Sequence, residues 1–213
     1  HCKTKVVEVG YDDSKWEPAL RDLCDEKHDV IFCGTWQMQA LVSKITKDYP
    51  NQKIIVYDTT MDYASDSAGL FKNTYSIEYK QNEGSFLAGV LAAEMTKGKK
   101  IGFIGGMDNT VILDFLVGFI QGAKTVSPDI KIISSFVGNF SDSAKAKELA
   151  LTQYQMGADI IFVCASNAGE GALQAAKEKN KFIIGVDSDQ AMLYKQTDPV
   201  LSKLIISSML KRV

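Results

Sequence analysis

The chain has 213 residues, 46% of them hydrophobic and 23% charged, with a formal net charge of −2 at pH 7. That composition belongs to a folded globular chain and excludes a disordered one, and the length suits one large or two modest domains. The near-neutral balance gives a general nucleic-acid role no electrostatic support, and no apolar run reaches the roughly 18 residues that a membrane-spanning helix requires.

In chain order, "KTKVVEVGYDD" reads as a strand leaving into a polar turn. Helical periodicity follows, with Trp16, Leu20, Leu23 and Cys24 on one side. "DVIFCG" is a short continuous apolar run, as expected of a strand buried on both faces. The segment Gln37 to Asp48 reads as a helix that Pro50 and Asn51 stop. "KIIVYD" is a second buried strand. Strand, helix, strand, helix, strand implies a parallel sheet with right-handed crossovers. "TYSIEY" reads as a crossover strand, and the helix "NEGSFLAGVLAAEM" opens a second lobe. "KKIGFIGGMDNTVILDFLVGFIQGAKTVSPD" is one strand–loop–helix unit. From "IKIISSF" to "IIGVD" the order strand, helix, strand, helix, strand returns. "LSKLIISSMLKRV" reads as a strand entering a further element.

The two halves pair residue by residue. Asp29 in "HDVIFCG" matches Asp159 in "ADIIFVC" at an offset of 130, Asp58 matches Asp187 at an offset of 129, and Val7 falls near Ile133 or Ser134. The expectation is two doubly wound, parallel-sheet lobes of like topology. Lobe one spans residues 1–79 and lobe two 80–195, with 196–213 a hinge-proximal strand returning toward lobe one. The unit "KKIGFIGG…SPD" has no counterpart ahead of "KTKVVEV". Lobe one is therefore expected to lack an opening strand and helix, roughly 30 residues of a βαβ unit, and the chain to be part of a longer protein truncated at both ends.

In an open α/β sheet, ligands bind beyond the carboxyl ends of the strands. The loops expected there are "GTWQM", "YDTTMD", "GGMDN", "ASNAGEG" and "VDSDQ", which makes Trp36, Asp58, Met107, Asp108, Ser166, Asn167 and Asp187 candidate ligand residues. Such groups suit a neutral polar ligand held by hydrogen bonds and stacking, and the scarcity of cations disfavours a phosphate. "GFIGG" lacks the G-x-G-x-x-G spacing, and Asp108 would repel a pyrophosphate. No G-x-S-x-G elbow or H-E-x-x-H motif is present, so no enzyme activity is expected. The cysteines Cys2, Cys24, Cys33 and Cys164 make no close metal-ligand pair, with only His1 and His28 to join them. No metal or cofactor is expected. Cys33 and Cys164 read as small buried hydrophobes, and free thiols suit a reducing compartment better than an oxidising one.

"EYKQNEGSFLAGVLAAEMTKGKKIGFIGGMD", "GNFSDSAKAKELALTQYQMGADIIFVCA", "IIGVDSDQ" and "SSMLKRV" together resemble the basic membrane protein family of substrate-binding lipoproteins, over nearly the whole chain. The resemblance implies a type I periplasmic-binding fold whose two lobes close on a purine nucleoside for an ABC permease. It also implies an extracytoplasmic protein held at the membrane only through a lipid anchor, with no nucleic-acid partner. It gives Asp187 the ribose hydroxyls, lines the site with Met107 and Asp108, and adds Lys211 as a basic ligand residue. Trp36 falls where the family carries an aromatic. Where the family tends to show "GGTG", this chain has "SNAGEG", so that Ser166, Asn167 and Glu170 add polar groups. The family's opening loop, which supplies an Asp and an Asn, is not in this chain. A flavin, another nucleoside or a sugar stay open as ligands, and a regulator's ligand-sensing domain stays open as the alternative to a transport receptor.

Overall fold

The computed structural model describes residues 2–10 and 12–211. The chain divides into two compact units, residues 1–79 and 80–213.

The first unit contains helix α1 (Trp16–Asp25), strand β1 (Ile31–Gly34), helix α2 (Met38–Asp48) and strands β2 (Ile54–Tyr57) and β3 (Thr74–Ile77). The strands are parallel in the order β1-β2-β3. Trp16, Leu20 and Cys24 recur every four residues, which places them on one face of α1. Met38, Val42 and Ile45, spaced by four and then three residues, share one face of α2. Both helices lie on one side of the sheet and close a core with Ile31, Ile54 and Val56. Their polar sides are tied by Arg21, which bonds Glu17 within α1 and reaches Asp48 of α2 at 2.8 Å.

Because side chains alternate along a strand, the opposite face of this sheet carries Phe32, Ile55 and Tyr75, aligned across β1, β2 and β3. Phe32 is 65% exposed and Tyr75 67%. The expectation that "DVIFCG" is buried on both faces is thus corrected. Both crossover helices fall on the Ile31/Val56 side, and among the described residues none covers the other. "KTKVVEV" is also not a strand, and Val6 is 82% exposed. A strand exists through its ladder, and among the described residues β1 pairs with β2 alone.

The second unit opens with α3 (Gln81–Met95) and continues through β4 (Lys100–Gly105), α4 (Thr110–Val126), β5 (Lys131–Phe136), α5 (Ser143–Gln155), β6 (Ile160–Cys164), α6 (Gly169–Lys179), β7 (Phe182–Val186), α7 (Gln190–Tyr194), α8 (Pro199–Leu204) and β8 (Ile205–Met209). Its five parallel strands run in the order β5-β4-β6-β7-β8. The segment read as a strand from "LSKL" onward begins instead as α8, because Asp198 caps it through the Leu201 amide and Pro199 sits at its first turn. Its strand, β8, pairs with β7 in this second sheet.

Here the sheet is covered on both faces. Phe103, Phe162, Ile184 and Val186 point to α3 and α4, while Ile104, Ile161, Val163 and Ile183 point to α5, α6 and α8. α3 and α4 approach so closely that a Cβ at Gly118 would stand 2.2 Å from the Asn82 carbonyl oxygen, so only glycine fits. Asp159 locks the turn ahead of β4. Its carboxylate accepts from the Thr96 hydroxyl (2.6 Å) and from the amides of Lys97 (2.8 Å) and Gly98 (3.3 Å).

The repeat holds in three dimensions. β1-α2-β2 matches β6-α6-β7, with α1 in the place of α5. Phe32 corresponds to Phe162 and Ile55 to Ile184 at the same offsets of 130 and 129.

Candidate functional site

All strands in each sheet are parallel, so their carboxyl ends share one edge, and the candidate residues can be placed unit by unit. In the first unit, the turn after β1 is closed by the Met38 amide on the Thr35 carbonyl (3.0 Å), which sets Trp36 at its crest. The Thr35 hydroxyl donates to Gln37 Oε1 at 2.5 Å. Trp36 is partly exposed, yet its indole nitrogen is buried with no hydrogen-bond partner among the described residues. A donor left unmet in this way costs about 1–3 kcal/mol. Asp58 follows β2, and its amide bonds the Ile77 carbonyl at 2.9 Å.

In the second unit, β5 lies on one side of β4 and β6 on the other, so the order reverses between β4 and β6. That reversal opens a crevice outside the strand ends. The loop after β4 carries Met107 and Asp108, Asp108 being exposed. The loop after β6 carries Ser166 and Asn167, both exposed. The two loops are tied where the Gly106 amide bonds the Cys164 carbonyl at 2.9 Å.

Asp187 follows β7, exposed, with its amide on the Met209 carbonyl at 2.9 Å. The helix after it is capped by Asp189, whose carboxylate accepts from the Met192 amide at 3.1 Å. The N-cap of α7 is therefore not Asp187. Lys211 follows β8, with its ammonium 5.5 Å from the centre of the Phe115 ring. Asp187 and Lys211 both act on Cys164 at the end of β6. Burial pushes this thiol well up, Asp187 pushes it further and Lys211 draws it back. A carboxylate and an ammonium thus converge on the middle of this edge. Met107, Asp108, Ser166, Asn167, Asp187 and Lys211 share the carboxyl edge of the second sheet, as Trp36 and Asp58 share that of the first.

One backbone feature ties both edges together. Thr35, Asp58, Ser166 and Asp187 have φ of +91°, +61°, +48° and +68°, each immediately or nearly after a strand. Non-glycine residues held in this region cost of order 1–3 kcal/mol, and such strain gathers at functional sites. Sequence reading did not find it, since only Gly and Asn announce a left-handed turn. It also missed Asn109, whose Oδ1 caps α4 by accepting from the Ile112 amide (3.1 Å), leaving Nδ2 buried without a partner among the described residues. An Asn just ahead of the run "TVILDF" is the signal that could have found it. Glu170, expected to add a polar group, accepts from the Tyr194 hydroxyl.

The buried thiols are suited to packing, not to reaction. Burial pushes Cys24 up to about 11 and Cys33 up to about 12, so neither forms the reactive thiolate near neutral pH. Among the described residues no group of three or more His, Cys, Asp or Glu is placed to hold a metal ion, and no helix is long and apolar enough to cross a membrane.

A family model described as "ABC transporter substrate-binding protein PnrA-like" matches residues 1–211. A Lactococcus lactis subsp. cremoris protein named ABC transporter nucleoside-binding protein BmpA is 36% identical over 196 residues, 87% of this chain and 54% of its own length. Basic membrane protein A of Borreliella afzelii is 41% identical over 176 residues, 82% of this chain and 53% of its own. Among solved structures, an ABC transporter solute-binding protein from Aeropyrum pernix K1 superposes with a TM-score of 0.81 at 24% identity, over 95% of this chain and 56% of that one. This likeness shows the fold, that of periplasmic-binding proteins. The chain spans about half the length of the curated relatives it matches.

Proposed function

The chain belongs to the PnrA-like family of ABC-transporter substrate-binding proteins, and from that premise we propose that it captures a nucleoside-like solute for an ABC importer and leaves it chemically unchanged. The observation that carries the reading is the set of groups on the carboxyl edge of the second sheet, where acceptors and one cation converge beside the β4/β6 reversal.

A nucleoside offers three things to such a set: a flat heterocycle, a ring of acceptors and donors, and a cis-diol. The Asp187 carboxylate accepts from two neighbouring hydroxyls without needing a proton of its own. Lys211 donates to an oxygen or ring nitrogen, and the Ser166 hydroxyl and Asn167 amide complete the polar contacts. Trp36 supplies the stacking surface from the first unit, and Asp58 is the pseudo-symmetric partner of Asp187. A form of the protein that the ligand contacts more fully is favoured by those differential contacts. The permease then reads that form. On this reading the protein works outside the cytoplasm, held at the membrane by a lipid anchor.

The test is mass spectrometry of whatever small molecule stays with the purified chain and is released on denaturation. A purine nucleoside or close heterocycle supports the reading. A sugar phosphate, a dinucleotide or a free base derived from added nucleoside refutes it.

A further inference from the structure

We propose that the amino edge of the second sheet is a docking surface for an anionic lipid bilayer. The surface is read from the second unit alone. The choice of a bilayer as its partner rests on the reading above that the protein works at a membrane.

Parallel strands bring their amino ends to one edge, opposite the edge that carries the candidate ligand residues. The chain places lysines there at one strand entry after another. "TKGKK" leads into β4, Lys131 opens β5 and Lys181 precedes β7. The backbone sets them side by side. The Lys131 amide bonds the Lys99 carbonyl at 3.0 Å, and the Lys100 ammonium reaches the Met156 carbonyl, in the turn ahead of β6, at 2.9 Å. The Phe182 amide, next to Lys181, bonds the Asp159 carbonyl at 3.0 Å. With neighbouring strands about 4.8 Å apart, the row from Lys131 to Lys181 is roughly 15 Å long.

Neither the helix macrodipole nor ion pairing accounts for these cations. The macrodipole draws lysines to helix C-termini, which explains Lys124, Lys177 and Lys203 in last turns. Lys97, Lys99, Lys131 and Lys181 lie outside the helices. Among the described residues those four make no ion pair. Of the acids on this edge, Asp159 is engaged by the Thr96 hydroxyl and the turn amides. Glu178 is paired with Lys147 and Lys179, which leaves Glu94 and Asp129 to offset the row. Lys99 is also held at a φ of +51°, a conformation that glycine or asparagine adopts at lower cost.

The partner's chemistry follows from this distribution. The chain as a whole carries −2, so net charge does not draw it to an anionic surface. The opposite edge of the same unit exposes Asp108, Asp187 and Asp189, which gives the unit two electrostatic ends. A row of exposed ammonium groups suits anions spread over a plane, whereas one small anion needs donors that converge. Met95 and Met156 are 42% and 52% exposed on this same edge, and Met156 stands in the turn that Lys100 bonds. Cations around flexible apolar side chains match anionic headgroups lying over acyl chains. A nucleic acid would meet the charge but offer the methionines no apolar phase. A basic surface also strengthens an acyl anchor, and docking by the amino edge keeps the groups on the carboxyl edge off the bilayer.

The experiment is co-sedimentation of the 213-residue polypeptide, unacylated, with vesicles of phosphatidylcholine alone or mixed with phosphatidylglycerol. Binding should appear on the phosphatidylglycerol vesicles at low salt and fall as added salt shortens the screening length. Each lysine near an anionic surface contributes a factor of about five in partitioning. Lys99→Gly combined with Lys131→Gln should therefore weaken partitioning roughly 25-fold. Lys145→Gln combined with Lys195→Gln, the same change in net charge made on α5 and after α7, should alter it by less than about twofold. Glycine suits the left-handed backbone at position 99, and melts followed by circular dichroism check that both variants stay folded. Met156→Ser should weaken vesicle binding without changing its salt dependence. No binding to phosphatidylglycerol vesicles at low salt, equal losses in the two double variants, or a single-stranded DNA oligonucleotide bound as tightly as the vesicles overturns the proposal. Nucleoside titration is scored separately, so either reading can fail while the other stands.

Discussion

Phe162→Ala and Phe32→Ala remove the same ring from matched positions of the repeat, and the structure sets their costs far apart. Phe162 has no exposed surface, and its ring packs 5.8 Å from Phe103, 6.2 Å from Phe115 and 5.2 Å from Phe119. A phenylalanine buries about 150–250 Å², which at about 25 cal/mol per Å² is worth roughly 4–6 kcal/mol. Measured Phe→Ala losses in cores fall at about 3–5 kcal/mol. Phe32 is 65% exposed, so its deletion forfeits a third of that area and leaves no closed cavity. About 1.3–2 kcal/mol follows. Urea unfolding followed by far-ultraviolet circular dichroism checks both. At a slope of about 2 kcal/mol per M, Phe162→Ala lowers the midpoint by about 2 M and Phe32→Ala by about 1 M or less. Hydrogen exchange assigns each loss to its unit. Equal shifts for the two substitutions, or a shift under about 0.5 M for Phe162→Ala, would refute the account of which sheet face is packed.

Trp36→Ala should weaken binding of a heterocyclic ligand by about 1–3 kcal/mol, and Trp36→Phe by less; titration calorimetry that finds the affinity unchanged within about twofold removes the ring from the site. Asp187→Ala should cost a ribonucleoside at least about tenfold in affinity, with Asp187→Asn losing less. The loss should shrink for a 2′,3′-dideoxy ligand, which has no diol to donate, and equal losses for both ligands would rule out the sugar contact. In the first unit, burial holds the Cys33 thiol up to about 12 against an ordinary 9.0. The unfolded chain therefore gives up this proton first, so the contribution is full below pH 9.0 and is lost as pH rises toward about 12. Thermal melts from pH 8 to 11 should fall more steeply for the wild type than for Cys33→Ala, and parallel curves would show that this thiol is not the cause.

Much of this fold was legible because its signals are local. Asp29 and Asp159 mark the start of matched strands, the four-residue spacing of Trp16, Leu20 and Cys24 fixes the buried face of α1, and Asp58 and Asp187 end matched strands. What sequence could not supply was whether an apolar strand has a neighbour. Among the described residues, "KTKVVEV" has the residues of a strand but no ladder beside it, and "DVIFCG" has the residues of a doubly buried strand but helices on one face alone. Both depend on partners distant in the chain. The site shows the same division. The strand-end loops were found from their position, yet the left-handed backbone at Thr35 and Ser166 and the buried, unmet donors of Trp36 and Asn109 are properties of packing that residue types do not announce.

The central claim is that this chain binds a nucleoside-like solute and does nothing further to it. Isothermal titration with adenosine, guanosine, inosine, riboflavin and ribose, with the recovered ligand run on a column afterward, tests it most directly. The account predicts saturable binding of at least one nucleoside, one per chain, weakened by Asp187→Ala and recovered intact. Heat from ribose alone, no heat with any of the five, or recovery of a free base would contradict it.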